Sequence, residues 1–200
     1  GAKELAGHPG EKVTEGLDGL RERCAEYYQL GARFAKWRAV IKIIDSHTPE
    51  LAIQANAHAL ARFAAISQEV GLVPIVEPEV LMDGSHSIDV CQSITERTLR
   101  TVFDELCASN VRLEAIVLKP NMVVPGSDAS RQADMEEIAD RTIEVLSRHV
   151  PPAVPGIAFL SGGQSERDAT NNLNALNQRG PHAWELTFSY GRALQQSALY

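Results

Sequence analysis

The chain has 200 residues, 44% of them hydrophobic and 22% charged. That length and balance suit one or two globular domains and exclude a disordered or collagen-like polypeptide. Nineteen Lys and Arg against twenty-six Asp and Glu leave a formal charge of −7. The chain therefore lacks the broad positive field of a nucleic-acid binder, and any anionic ligand needs a local cluster of cations.

Leu17, Leu20, Cys24 and Tyr27 predict a leading helix. Phe34 to Ile44 predicts a strand. Thr48-Pro49-Glu50 then supplies an N-cap and a first-turn proline. The helix after it buries a face of Leu51, Ala55, Ala59/Leu60, Phe63 and Ile66, and Gly71 ends it. Leu72 to Val76 predicts the next strand. Ser87 to Asn110 predicts a helix, with Ile88, Val90/Cys91, Ile94, Leu99, Val102 and Leu106 at helical spacing. Ala115 to Leu118 predicts a short buried strand. Arg131 to His149 predicts a helix, Gly156 to Leu160 a strand and Glu166 to Gln178 a helix. Trp184 to Phe188 and Gly191 to Leu199 predict the last strand and helix. Strand-helix alternation of this kind, about five units long with no linker, implies an α/β chain with a parallel sheet and crossover helices. An open doubly wound sheet and a (β/α) barrel both satisfy the periodicity.

No apolar run reaches the roughly 18 residues of a transmembrane helix. The longest uncharged stretch, His149 to Ser165, is broken by Pro151, Pro152 and Pro155. Cys24, Cys91 and Cys107 are odd in number and lack CxxC spacing, which predicts reduced core thiols of an intracellular protein. The histidines form no HxxxH or HExxH pair, so no metal site is expected. Trp37, Trp184, Phe159, Phe188 and Met122 are expected in the core. His47, His58, His86, His149 and His182 are expected at the surface or as satisfied polar groups. Asp134, Glu136 and Glu137 are expected to form a solvated early-helix face that complements the helix dipole.

The polar residues favour the barrel. Glu77 and Glu79, Lys119, Ser161 and Ser189 fall at or near the C-terminal ends of four successive strands. Barrel enzymes gather reactive groups from several strand ends, whereas a doubly wound sheet gathers them at one switch point. Lys119 follows a buried apolar strand, where loss of solvation favours the neutral amine that attacks carbonyls. The same position also suits a salt-bridged or snorkelling lysine. Glu77 and Glu79 lie two residues apart and so share a face, with Pro78 holding the chain extended. They read either as an acid/base pair or as solvated strand-end acids. Lys36 and Arg38 repeat that spacing on the first strand, opposite Ala35 and Trp37, and read as an anion-binding pair or a structural ion pair. Ser161-Gly162-Gly163 and Ser189-Tyr190-Gly191-Arg192 each join a strand to a helix. Glycine lets backbone approach an anion there, and helix N-terminal N–H groups point at it. Barrels often build a phosphate site from these last two loops.

Six stretches carry a family resemblance: Gly16–Leu20, Phe34–Arg38, Val73–Glu79, Leu118–Val123, Phe159–Ser165 and Leu186–Arg192. Together they resemble class I, Schiff-base-forming fructose-bisphosphate aldolase. The resemblance implies a (β/α)8 TIM barrel, here an incomplete one of about five βα units. Residues 1–200 would form a single partial barrel domain, family strands 4 to 8. It implies a metal-independent lyase that needs no cofactor, acts on a phosphorylated sugar in glycolysis and gluconeogenesis, and assembles as a homotetramer. A cytoplasmic or plastid location follows, with no nucleic-acid or membrane partner. By position, Lys119 is the Schiff-base nucleophile and Glu77 the acid/base that forms and dehydrates the carbinolamine. Lys36 stabilises charge beside the Schiff base. Glu79 joins this catalytic set through an ion-pair network with Arg38, which is placed with the substrate-binding residues. Ser161, Gly162, Gly163, Ser189, Gly191 and Arg192 cradle the C1 phosphate.

The resemblance begins after the family's third strand. The family's strand-one aspartate, strand-three lysine and one phosphate-binding arginine therefore have no counterpart here. Tyr200 sits in the last helix region and is not the functional tyrosine of the family's C-terminal tail. Val124 replaces a threonine. An open five-strand sheet exposes two edges, so the chain is expected to belong to a longer polypeptide, to need a partner or to be unstable alone. An inactive fragment serving as an interaction module, and another Schiff-base barrel lyase, are the alternative readings.

Overall fold

In the computed structural model, residues 1–199 are described. The helical position expected for Tyr200 lies outside them. β1 (Ala2–Glu4) and β2 (Lys12–Thr14) pair antiparallel as a small ribbon. Strands of three residues carry too little alternation for a sequence reading to find. Then follow α1 (Leu20–Gln29), β3 (Phe34–Ile41), α2 (Glu50–Glu69), β4 (Val73–Val80) and α3 (Ile88–Ala108). A 3-10 turn at Leu113–Ala115 precedes β5 (Val117–Leu118), α4 (Met135–His149), β6 (Gly156–Phe159), α5 (Glu166–Gln178), β7 (Glu185–Phe188) and α6 (Arg192–Leu199).

The larger sheet has five strands in the order β3-β4-β5-β6-β7, and every pairing is parallel. A doubly wound sheet reverses its order at a switch point. Here each strand adds beside its predecessor in the same direction, which is the winding of a barrel. The chain is thus α/β with the architecture of an incomplete barrel. Along β3, Trp37, Ala39 and Ile41 are buried while Lys36 and Arg38 point to the opposite face. Trp37 stacks on Phe63 of α2 with ring centroids 5.6 Å apart. β4 runs four residues beyond the expected Val76. Pro78 is tolerated because β4 pairs with β5 only at Ile75 and Val76, so no second neighbour needs its missing N–H.

Several local expectations are corrected by side-chain hydrogen bonds. Thr48 does not cap α2. Its hydroxyl donates to the Lys42 carbonyl at 2.6 Å, closing the loop after β3, and Pro49 takes the N-cap position. The buried face of α2 is Ala52/Ile53, Asn56/Ala57, Leu60, Phe63/Ala64 and Ser67, while Leu51 is exposed. Polar Asn56 belongs on that face because its amide donates to the Lys12 carbonyl at 2.8 Å and accepts from Thr14 N–H at 3.3 Å. α4 starts at Met135 rather than Arg131, since Asp134 accepts from Glu137 N–H at 2.8 Å and caps it.

Phe188 and Cys107, both expected inside, are not buried. Phe188 is 49% exposed on the edge strand β7, where no further strand among the described residues covers it. Phe34, on the opposite edge, is 66% exposed. Tyr27 is exposed on α1, and Cys107 is exposed in the last turn of α3, whereas Cys24 and Cys91 are buried. His86 is buried, and both its ring nitrogens lack a partner among the described residues. Burial lowers its pKa. No helix among the described residues is long and apolar enough to cross a membrane.

The loops after β4 and β5 run side by side at the C-terminal end of the sheet. Gly126 N–H donates to His86 O at 2.9 Å, Ser127 N–H to Met82 O at 2.7 Å and Asp128 N–H to Gly84 O at 2.9 Å. A Cβ on Gly126 would lie 2.2 Å from the Gly84 carbonyl oxygen, so this seam closes only on glycine. Gly126→Ala is expected to destabilise the full-length protein by about 1–3 kcal/mol, the usual cost of overpacking. Gly191→Ala, where a Cβ meets nothing within 4 Å, is expected to be nearly neutral in stability. Thermal or urea unfolding of both variants checks this, and equal stability of the two would contradict it.

Candidate active site

Hydrogen bonds to neighbouring strands level the ends of the sheet. Leu81 N–H donates to Ile41 O at 2.9 Å and Lys119 N–H to Val76 O at 2.8 Å. Leu160 N–H donates to Pro120 O at 3.1 Å and Ser189 N–H to Phe159 O at 2.8 Å. Each strand thus delivers the residue that follows it to a common rim. At that rim lies a cavity of about 560 Å3, lined by Arg38, Glu77, Glu79, Lys119, Ser161, Gly162, Gly163, Ser189, Gly191 and Arg192. Of the residues singled out in the sequence, Lys36 alone is not on this lining. It reaches the cavity through Glu77.

The charged centre follows from strand register. Lys36 and Arg38 stand opposite Ile75 and Glu77, and each cation reaches the glutamate two positions further along β4. Lys36 Nζ lies 2.6 Å from Glu77 Oε2, and Arg38 Nε lies 2.5 Å from Glu79 Oε2. Glu77 and Glu79 are buried. Burying a carboxylate without a cation is strongly unfavourable, so each glutamate is matched to its own partner. They are neither a solvated pair nor a carboxylate–carboxylate dyad. The hydrogen bond to Glu79 raises the pKa of the Arg38 guanidinium still further.

Glu77 carries a second amine. Lys119 Nζ lies 3.1 Å from Glu77 Oε1, and its side chain is only 12% exposed. One buried carboxylate therefore bridges amines from β3 and from the end of β5. Asn121 braces this junction. Its Oδ1 accepts from Val80 N–H at 3.0 Å, and its Nδ2 donates to Thr95 Oγ1 at 3.2 Å and to Met122 O at 3.1 Å. A shielded amine next to a carboxylate can add to a carbonyl while the carboxylate moves protons.

Two glycine-bearing turns also line the cavity. Gly162 and Gly163 have φ of 55° and 87°, conformations that side-chain-bearing residues rarely adopt. Tyr190, between Ser189 and Gly191, anchors the second turn by donating its hydroxyl to Ala169 O at 2.8 Å. Its ring lies against Phe188, with centroids 5.3 Å apart. Arg192 opens α6 and lines the cavity beside Gly191.

The sequence reading missed Leu81, Met82, Asp83 and Ser127, which also line the cavity. They lie in the loops after β4 and β5. Asp83-Gly84 is a turn signal directly after a strand and could have marked the first of these loops. Asn121 and Tyr190 were read only as parts of motifs. Their bracing roles depend on contacts 21 to 41 positions away in the chain.

The model of the family "Fructose-bisphosphate aldolase class-I" matches residues 1–200. A probable fructose-bisphosphate aldolase class 1 of Xylella fastidiosa is 58% identical over 199 residues, covering 100% of this chain and 60% of that protein. Fructose-bisphosphate aldolase 4, cytosolic, of Arabidopsis thaliana is 59% identical over 200 residues, covering 100% of this chain and 51% of that one. The chain thus spans between half and three fifths of the length of these relatives. Among solved structures, a fructose-bisphosphate aldolase from Plasmodium falciparum, in complex with TRAP and a small molecule inhibitor, superposes with a TM-score of 0.97 at 52% identity. That match covers 100% of this chain and 58% of the other.

The Tyr190 anchor has a pH signature. Burial raises the phenol's pKa from 10.0 to about 12. A raised folded value means that its contribution is complete below pH 10 and is lost as pH climbs through about 12. Tyr190→Phe is expected to cost about 0.5–1.5 kcal/mol at neutral pH. It should also remove the highest-pH step of the ultraviolet phenolate titration. A Tyr190 titration at the ordinary tyrosine value would contradict the anchor.

Proposed function

The chain belongs to the class I fructose-bisphosphate aldolase family, and from that premise we propose that the full-length protein is a lyase. Its reaction is reversible cleavage of fructose 1,6-bisphosphate to dihydroxyacetone phosphate and glyceraldehyde 3-phosphate, through a Schiff base on Lys119. The observation that carries this reading is the 3.1 Å contact of Lys119 Nζ with Glu77 Oε1 in a cavity that two glycine turns also line.

The Lys119 ammonium first passes a proton to the Glu77 carboxylate 3.1 Å away. The neutral amine then adds to the ketose C2, the carbonyl electrons move to oxygen, and a proton passes from the new ammonium nitrogen to that oxygen, giving a neutral carbinolamine. Protonated Glu77 gives its proton to the resulting hydroxyl, water leaves, and the iminium forms. The C4 hydroxyl then gives its proton to the Glu77 carboxylate, which dehydration has left free to accept it. The C3–C4 bond breaks towards the iminium, releasing the aldehyde and leaving an enamine. Glu77 returns that proton to C3 of the enamine, which regenerates the iminium and the carboxylate. Water adds at C2, Glu77 moves protons in the reverse sense, and the ketone departs from free Lys119. The cation formed before C–C cleavage is what stabilises the carbanion-like electrons. Lys36, at 2.6 Å, keeps Glu77 in place and adds positive charge beside the reacting carbon. The pair Arg38–Glu79 orders the neighbouring wall. Ser161, Gly162, Gly163, Ser189, Gly191 and Arg192 hold the C1 phosphate and thereby fix C2 against Lys119.

On this reading, residues 1–200 form one partial barrel domain, strands four to eight of eight, and the complete protein serves glycolysis and gluconeogenesis as a homotetramer. A cytosolic setting is proposed from the relatives whose names state it. Exposed Phe34 and Phe188 on the two edge strands favour a second reading, an inactive chain that docks on other proteins.

Borohydride reduction of the full-length protein with dihydroxyacetone phosphate, followed by peptide mapping, separates the two. A ketose adduct on Lys119 is expected, with none in Lys119→Arg. Glu77→Gln is expected to slow adduct formation by about 10²-fold or more. An adduct on another lysine would contradict the assignment of Lys119, and a folded protein without any adduct would support the docking reading.

A further inference from the structure

The two glycines of the turn Ser161-Gly162-Gly163 have no side chains to hold it in shape. Glycine loses more conformational freedom on ordering than any other residue. The neighbouring Gln164 supplies the restraint. Its backbone N–H and its side-chain Nε2 both donate to the Ser161 carbonyl, each at 3.0 Å. Its Oε1 accepts from Asn172 Nδ2 at 2.7 Å, and Nε2 lies 3.7 Å from Met122 Sδ, in the segment that follows Lys119. Asn172 sits two turns into α5 and is 4% exposed. One carboxamide thus ties the turn to α5 and to the segment that carries the amine.

The geometry has a direct chemical consequence. In a trans peptide, C=O and N–H point in opposite directions. Two donors on the Ser161 oxygen therefore turn the Gly162 N–H away from Gln164. Among the described residues, neither Gly162 N–H nor Gly163 N–H has a hydrogen-bond partner, and both glycines line the cavity. Gly162 N–H is a free donor on the very peptide whose orientation Gln164 sets, and Gly163 N–H is a free donor on the next peptide of the same restrained turn.

We propose that Gln164, held by Asn172, is a positioning residue that orients the Gly162 and Gly163 N–H groups towards an anionic phosphate and so sets affinity for phosphorylated ketoses. The inference rests on the reading of this turn as a phosphate cradle. Asn172 acts only through Gln164. It presents a donor to Oε1 and so keeps Nε2 facing Ser161.

Gln164→Met retains the side-chain length and removes the amide, Asn172→Ala removes its partner, and the double variant tests whether the two act as one unit. In the full-length protein, the calorimetric Kd for dihydroxyacetone phosphate is expected to weaken about tenfold in each single variant. The double variant should be no weaker than Gln164→Met. Borohydride trapping of dihydroxyacetone, which has no phosphate, is expected to proceed within about twofold of wild type, a split that a general loss of structure would not produce. An unchanged Kd in both single variants would overturn the proposal. So would an equal loss with the two ketones, or full additivity in the double variant. A wild-type protein that binds dihydroxyacetone phosphate but traps neither ketone would refute the lyase reading, and the Kd values would still decide the clamp. No binding to wild type would overturn both.

Discussion

Glu77 is 4% exposed, and amines from the strands on either side close on it at 2.6 and 3.1 Å. A carboxylate so placed is tolerable only while those cations stay with it. The positions of β3, β4 and the end of β5 are therefore coupled through one side chain. The strand register sets the two-residue diagonal from Lys36 to Glu77, and the same diagonal recurs from Arg38 to Glu79. The second pair repeats the first one step nearer the rim, where it forms part of the cavity wall. On the proposed mechanism, chemistry and sheet stability draw on the same contacts.

The barrel-type winding supplies the rest. Because each parallel strand adds beside its predecessor, every strand ends on the same rim. The final two units then contribute backbone rather than charge: two glycine-bearing turns and the start of α6. Glycine is required at Gly162 and Gly163 by their backbone angles, and at Gly126 by the close approach of the Gly84 carbonyl. Gly191 has open space around it, so a substituent there would affect what enters the cavity more than how the chain folds.

Most of the element order was legible because apolar runs and helical stripes alternate with clear breaks. The charged centre was legible for a simpler reason. Spacing of two on a strand places Lys36 with Arg38, and Glu77 with Glu79, on one face whatever the rest of the chain does. What could not be read was which partner a polar side chain finds, near or far. Asn56 lies on a buried helix face because it binds the ribbon strand β2, more than forty positions away. Thr48 resembles a cap but closes its own loop. Asp134 is exposed, as expected of a solvated acid, and it also caps α4. Phe188 has the composition of a core residue, yet it lies on the last strand of an open sheet. Gln164 stands inside a recognised motif, and nothing local shows that its amide reaches Asn172 eight positions on.

The central claim is spatial: the Lys119 amine, the Glu77 carboxylate and the two glycine turns serve one bound sugar phosphate. A crystal structure of the full-length protein after borohydride reduction with dihydroxyacetone phosphate tests it most directly. The account predicts a covalent bond from Lys119 Nζ to the ketose C2, Glu77 in contact with the modified nitrogen, and the phosphate on Gly162, Gly163 and Arg192. A phosphate seated elsewhere, or an unmodified Lys119 turned out of the cavity, would contradict it.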